Sequence, residues 1–228
     1  MTRRSIRVLT LIESSFVSGP ARILIEFGRL AAIPESRLPL VELAVATYWR
    51  GQGESPVAEA ARSVGLSVFT ITERGRCDRD AIPQLRRIVS DYQLDILESR
   101  NLKSHFLARL LGLQKGRPWI ARNHGYTARD WLDRAHSQLD HWSLHGAFGV
   151  VTVCGPFAKE LQRRGIDKSK ITILPNFVKP IVPLPPGEVE QLRDRLGLQD
   201  KAVILAVGRL SSEKGHAFLL QPPRGSTS

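Results

Sequence analysis

Residues Val203 to Gly215 read VILAVGRLSSEKG, an apolar run that ends in a glycine, an arginine and a lysine spaced to hold a diphosphate. Ala202 to Val207 has the composition of a parallel strand buried on both faces. Gly208 allows a tight turn, and Ser211 or Ser212 can cap a following helix. Arg209 and Lys214 would then face the same loop mouth. At the carboxyl end of a strand in an open α/β sheet, a helix N-terminus with two cations beside it attracts anions. The same residues also suit a strand, a turn and a solvated basic helix start, so the surrounding sequence has to decide.

Working back toward the N-terminus, short apolar runs alternate with amphipathic stretches, which argues for a parallel sheet. Strands are expected at Ile6 to Ile12, Val41 to Ala46, Ser67 to Ile71, Ile96 to Glu98, Trp119 to Asn123, Gly149 to Cys154 and Ile171 to Leu174. Helices are expected at Ala21 to Ala32, Pro56 to Val64, Ala81 to Tyr92, Lys103 to Leu111, Thr127 to Leu144 and Pro156 to Arg164. This is a doubly wound domain over residues 1–178. The prolines of KPIVPLPPG, residues 179–187, favour an extended linker. Residues 188–220 hold a short helix from Glu188 to Leu198, then the strand and helix start already described. QPPRGSTS, residues 221–228, has no apolar periodicity and reads as a disordered tail.

The GRLSSEKG pattern after an apolar strand resembles the opening of the nucleotide-binding domain in family 4 retaining glycosyltransferases, which have the two-domain GT-B fold. ITILPNF at Ile171 to Phe177 is similar to that family's crossover out of the first domain. GVVTVCGPFAKEL at Gly149 to Leu161 is similar to the strand and helix before it, and Asn123, His124, Gly125 and Tyr126 resemble its His-Gly loop. The resemblance implies an α/β, Rossmann-like N-terminal domain of a GT-B architecture, with only the first strand and helix start of the second domain. It implies transfer of a sugar, with retention, from a nucleotide-sugar donor to a glycan or lipid-linked acceptor in cell-envelope or exopolysaccharide assembly.

The family pattern also assigns roles. His124 would line the cleft near the transferred sugar, where a neutral imidazole can hydrogen-bond a hydroxyl or meet charge developing at the anomeric carbon. Arg209 and Lys214 would stabilise the departing diphosphate in place of a divalent metal, so no metal or other cofactor is expected. Gly19, in the first βα turn ESSFVSGPA, matches one glycine of the family's phosphate loop, but Pro20 replaces its usual glycine neighbour and removes an N–H donor. Glu98, Arg100 and Asn101, in DILESRN, stand where members often carry histidines; they suit acceptor contacts, and an intraloop ion pair suits them equally. The family's two glutamates seven residues apart have no counterpart within the sequence. The chain is therefore expected to be truncated, with poor solubility or disorder beyond Lys201. Two other classes stay open: an inactive acceptor-binding or scaffold fragment, and a sugar-nucleotide epimerase of the same architecture.

Composition narrows the field further. The 228 residues carry a formal charge of +11, with a pI near 10.3. Basic clusters such as Arg86 with Arg87 and Arg163 with Arg164 are scattered and not interleaved with aromatics, which argues against nucleic acid. An anionic inner leaflet is the better partner, each nearby charge contributing about 1 kcal/mol. Cys77 and Cys154 form no metal or redox spacing, no apolar run approaches a bilayer span, and no leader is legible, so a cytoplasmic, peripherally membrane-bound location is expected. His136, His141 and His145 share a predicted helix without an HExxH arrangement, so no zinc site is expected. Neither GxGxxG nor GxSxG is present, which disfavours a dinucleotide site and a serine hydrolase.

Overall fold

The computed structural model describes residues 4–33, 39–75, 78–124, 131–177, 182–208, 210 and 214–221, with backbone alone for 131–136. The chain divides into two compact units, Met1–Phe177 and Val178–Ser228.

The first unit is a seven-stranded sheet in which every pairing is parallel. Strands β1 (Ile6–Glu13), β2 (Val41–Trp49), β3 (Ser67–Thr72), β4 (Ile96–Ser99), β5 (Trp119–Asn123), β6 (Gly149–Thr152) and β7 (Ile171–Ile173) lie in the order β3-β2-β1-β4-β5-β6-β7. Helices α1 (Gly19–Ala31), α2 (Pro56–Arg62), α3 (Ala81–Asp91), α4 (Leu102–Leu110), α5 (Trp131–Leu144) and α6 (Gly155–Arg163) make the crossovers. Local sequence sets several starts. Pro20, Pro56 and Pro156 occupy first-turn positions, where the missing N–H costs nothing. Asn101 caps α4 by accepting a hydrogen bond from Ser104 N at 3.2 Å. The strand order reverses between β1 and β4, the switch point at which open α/β sheets leave a crevice.

Alternation along the strands builds two cores. Leu9 and Leu11, Ala44 and Ala46, Leu97, Trp119, Ala121 and Val150 point to one face and pack with Leu85, Leu107, Leu144 and Leu161 from α3 to α6. Ile12, Leu43 and Val45 point to the other face and pack with Leu24 from α1 and Val57 from α2. That second cover ends near β1. Beyond it Ile96, Ile120 and Val151 stay half-buried and line an apolar trough of about 440 Å³, rimmed by Phe27, Leu174 and Phe177. Among the described residues of this unit, helix α1 reaches the trough through Phe27 at its rim and leaves the rest of it open, although parallel sheets are normally covered on both faces.

In the second unit, helix α7 (Glu188–Arg195) ends under an unusual cap. Arg193 Nη2 reaches the carbonyls of Leu198, Gln199 and Lys201 at 2.8, 3.0 and 2.8 Å. Helix α8 (His216–Leu219) is a single turn that follows Gly215, whose φ is +67°. The strand expected at Ala202 to Val207 does not form. Ile204 is 82% exposed and Val207 88%, and no ladder pairs this run among the described residues. The local pattern is that of a strand, but a strand exists only through hydrogen bonds to a neighbour, and none is at hand.

Candidate functional site

Because all strands run the same way, β1 to β5 deliver their C-terminal residues to one edge of the sheet. Two groups of polar side chains collect there. Glu98 and Arg100 form a nearly buried fork, with Arg100 Nη2 to Glu98 Oε1 at 3.0 Å and Arg100 Nε to Glu98 Oε2 at 3.2 Å. Thr10 Oγ1 donates to Glu98 Oε2 at 2.5 Å, and Arg100 Nη1 donates to the carbonyl of Pro20 in the first turn of α1 at 3.4 Å. The pair therefore ties β1, β4 and α1 together at the switch point. Arg122, one strand over, has no bond or ion pair to its guanidinium among the described residues; burial, then Arg100, lowers its pKa.

His124 follows β5 immediately and sits in the field of these two arginines. Burial is the largest influence on it and Arg100 and Arg122 add to it, so its pKa falls to about 4 and the ring is neutral at pH 7. Its Nε2 is buried without a hydrogen-bond partner among the described residues. Behind it runs a polar network that the sequence does not announce. Trp119 Nε1 donates to Ser99 Oγ at 2.8 Å, Ser99 Oγ meets His105 Nδ1 at 2.6 Å, and His105 Nε2 faces Asp140 Oδ1 at 3.9 Å. Asn123 Nδ2 donates to Asp140 Oδ2 at 3.3 Å and so holds the residue before His124. The order serine, histidine, aspartate suggests a triad, but Ser99 is fully buried and already accepts from Trp119, so no substrate carbonyl can reach it. His105 is likewise pushed toward its neutral form by burial.

The second group surrounds a cavity of about 750 Å³. Arg50 and Lys103 bridge the carboxylates of Glu13 and Glu73: Arg50 pairs with Glu13 and lies 3.6 Å from Glu73, while Lys103 pairs with Glu73 and lies 3.6 Å from Glu13. Lys103 Nζ also stands 4.5 Å over the Tyr48 ring. Each charge comes from a different strand end or from the start of α4, which is why spacing in the sequence gives no signal of the cluster.

The residues expected to act together are thus divided. Glu98 and Arg100 line the sheet-face trough, whereas Asn101 lines the charged cavity and donates to the carbonyl of Glu13 at 2.8 Å. Gly19 opens α1, and a Cβ added there would meet nothing within 4 Å, so packing does not require a glycine. In the second unit Lys214 is exposed, with its Cγ 3.5 Å from where a Gly208 Cβ would stand. Arg209, Ser211, Ser212, Glu213, Gly125, Tyr126 and Cys77 lie outside the described residues. Among the described residues no three His, Cys, Asp or Glu side chains gather as metal ligands, and no helix is long and apolar enough to cross a membrane.

A family model described as a glycosyl transferase 4-like domain matches residues 32–176. The chain belongs to this family. The glycosyl transferase 4-like domain thus covers β2 to β7, including the edge that carries His124. Solved structures agree at the level of fold. The Anabaena protein HepE in complex with UDP and glucose superposes with a TM-score of 0.70 at 15% identity, covering 94% of this chain and 56% of that one. A glycosyltransferase from Rickettsia africae ESF-5 gives 0.64 at 18% identity, with coverages of 94% and 56%. A UDP-GlcNAc 2-epimerase from Neisseria meningitidis gives 0.53 at 11% identity, with 74% and 46%. In sequence, an alpha-galactosylglucosyldiacylglycerol synthase of Streptococcus pneumoniae is 38% identical over 69 residues, 29% of this chain and 18% of its own length. The chain therefore spans little more than half the length of the HepE and Rickettsia africae structures and matches under a fifth of the synthase.

Proposed function

We propose that this chain is the acceptor-side domain of a retaining glycosyltransferase that moves a sugar from a nucleoside diphosphate donor to a glycan or lipid-linked acceptor in cell-envelope or exopolysaccharide assembly. The family match over residues 32–176 carries the reading. HepE, described with UDP and with UDP-glucose, supports a uridine diphosphate sugar as the donor class. The glycolipid synthase supports a lipid-linked acceptor.

In this reading His124 faces the sugar. A histidine with a pKa near 4, whose Nε2 has no partner among the described residues, stays neutral through the reaction, and can accept from a sugar hydroxyl or lie against positive charge building at the anomeric carbon. Gly19 leaves room for a phosphate before the N-terminus of α1, and Arg209 with Lys214 stabilises the leaving diphosphate without a metal. Domain boundaries at residues 178, 187 and 220, and a peripheral site on the cytoplasmic face of the membrane, belong to the same proposal. The test is titration with UDP-glucose, followed by product analysis with a panel of UDP-hexoses and alkyl glycosides. Donor binding that Lys214→Ala removes, with a product keeping the donor's anomeric configuration, supports the reading. A 2-epimer released without acceptor would move the assignment to an epimerase, and acceptor binding without any donor binding to a binding domain.

A further inference from the structure

The 750 Å³ cavity beside β1, β2 and α4 has two unlike halves, and the difference between them names a ligand class. Among the described lining residues three carboxylates, Glu13, Glu73 and Asp78, stand beside three cations, Arg50, Arg79 and Lys103, so their formal charges balance although the chain carries +11. Glu13, Glu73, Arg50 and Lys103 pair with one another, Asp78 accepts from the backbone amides of Arg74 and Asp80, and Glu73 Oε2 makes no hydrogen bond among the described residues. Such a floor has donors and acceptors to offer and no surplus charge to neutralise, which suits hydroxyl groups better than a phosphate. The trough on the sheet face differs, because Arg100 and Arg122 there outnumber Glu98.

The other half of the cavity is apolar and opens outward. Leu107 and Phe106 of α4 form its wall, and at its mouth Phe16, Leu110 and Leu139 are 64%, 54% and 37% exposed. The ridge continues to Trp142, 47% exposed, whose ring lies 6.2 Å from that of Phe106 and 5.5 Å from the Arg109 guanidinium. The hydroxyls of a free glycan leave most of this apolar wall of leucines and aromatic rings uncovered. An alkyl chain covers it, and cavities of this size with a few convergent polar groups are the usual form of small-molecule sites.

We infer that this cavity holds the acceptor, and that the acceptor is a neutral polyhydroxylated head group on an alkyl or acyl chain, the head against Glu13, Glu73 and Lys103 and the chain leaving between Leu110 and Leu139. This rests on the transferase reading and narrows its acceptor to a neutral glycolipid.

Calorimetric titration of the whole chain with alkyl glucosides of increasing length, each below its micelle concentration, tests the site. Affinity rises about threefold to fourfold per methylene while the chain lies within the wall. Glucose alone binds too weakly to detect, and an alkyl sulfate of equal length binds at least tenfold more weakly than the glucoside. Leu110→Asp with Leu139→Asp lowers glucoside affinity at least tenfold, whereas Val151→Asp, in the trough, leaves it unchanged; thermal melts confirm that each variant is folded. Affinity independent of chain length, an alkyl sulfate binding as tightly as the glucoside, or loss through Val151→Asp with the rim variant unaffected would each overturn the assignment. Binding needs no donor, so the two readings fail separately. Glucoside binding without sugar transfer counts against the transferase alone, and transfer to free sugars without preference for alkyl chains counts against this site alone.

Discussion

His124 couples its chemistry to stability. Its folded pKa, about 4, lies below the ordinary 6.5, so the unfolded chain takes up the proton first. The stabilisation from keeping the ring neutral is complete above pH 6.5 and is lost as pH falls from there toward 4; His105, lowered by burial, acts in the same sense. Thermal melts from pH 7.5 to pH 4 should show a smaller acid-induced fall for His124→Gln than for the parent chain (about one His-titration window, centred near the pKa values above). The Glu98–Arg100 fork gives a second residue-level expectation. Arg100→Leu leaves a buried carboxylate without its cation and should cost about 3–5 kcal/mol in urea unfolding, while the Glu98→Leu, Arg100→Leu double variant should cost clearly less. His124 was singled out because it ends an apolar strand, precedes a glycine and resembles the family's His-Gly loop, and its role belongs to the proposal above. His105 was not, since an isolated histidine inside a helix looks like any surface polar residue until Ser99, Trp119 and Asp140 converge on it from other elements.

The strands themselves were easy to find, and their ends reveal what local pattern can and cannot say. β5 runs over the expected Trp119 to Asn123, and the others agree within a few residues, because each is a short apolar run closed by turn chemistry. Val203 to Val207 satisfies the same pattern and forms no strand, since a pattern records suitability and the ladder needs a second strand. Amides of residues 202–207 should accordingly exchange hydrogen at nearly the rate of an unstructured peptide, while those of β1, central in the sheet, stay protected; protection of 202–207 comparable to β1 would contradict the structure. Adjacent positions on β6 offer a sharper contrast. Val150 is fully buried toward α3 to α6 and Val151 lines the open trough, so Val150→Asp should cost at least about 3 kcal/mol and Val151→Asp no more than about 1 kcal/mol in the same denaturation assay.

For the molecule as a whole, the parallel sheet and its family were legible in the sequence but the two cavities were not, because their walls are assembled from strand ends some ninety residues apart, as with Glu13 and Lys103. Composition was a poor guide for the same reason: an excess of arginine describes the surface, while the charged cavity balances its own ions. That balance separates two kinds of binding by ionic strength. At ~1 M salt the screening length shrinks to about 3 Å, so association of the basic surface with anionic vesicles should largely vanish. A ligand held by hydroxyl contacts and an apolar wall has no such long-range attraction to lose, and its affinity should stay within about a factor of two. Under the proposed acceptor reading, the protein would then discriminate its ligand in conditions where it no longer adheres to an anionic surface that presents it.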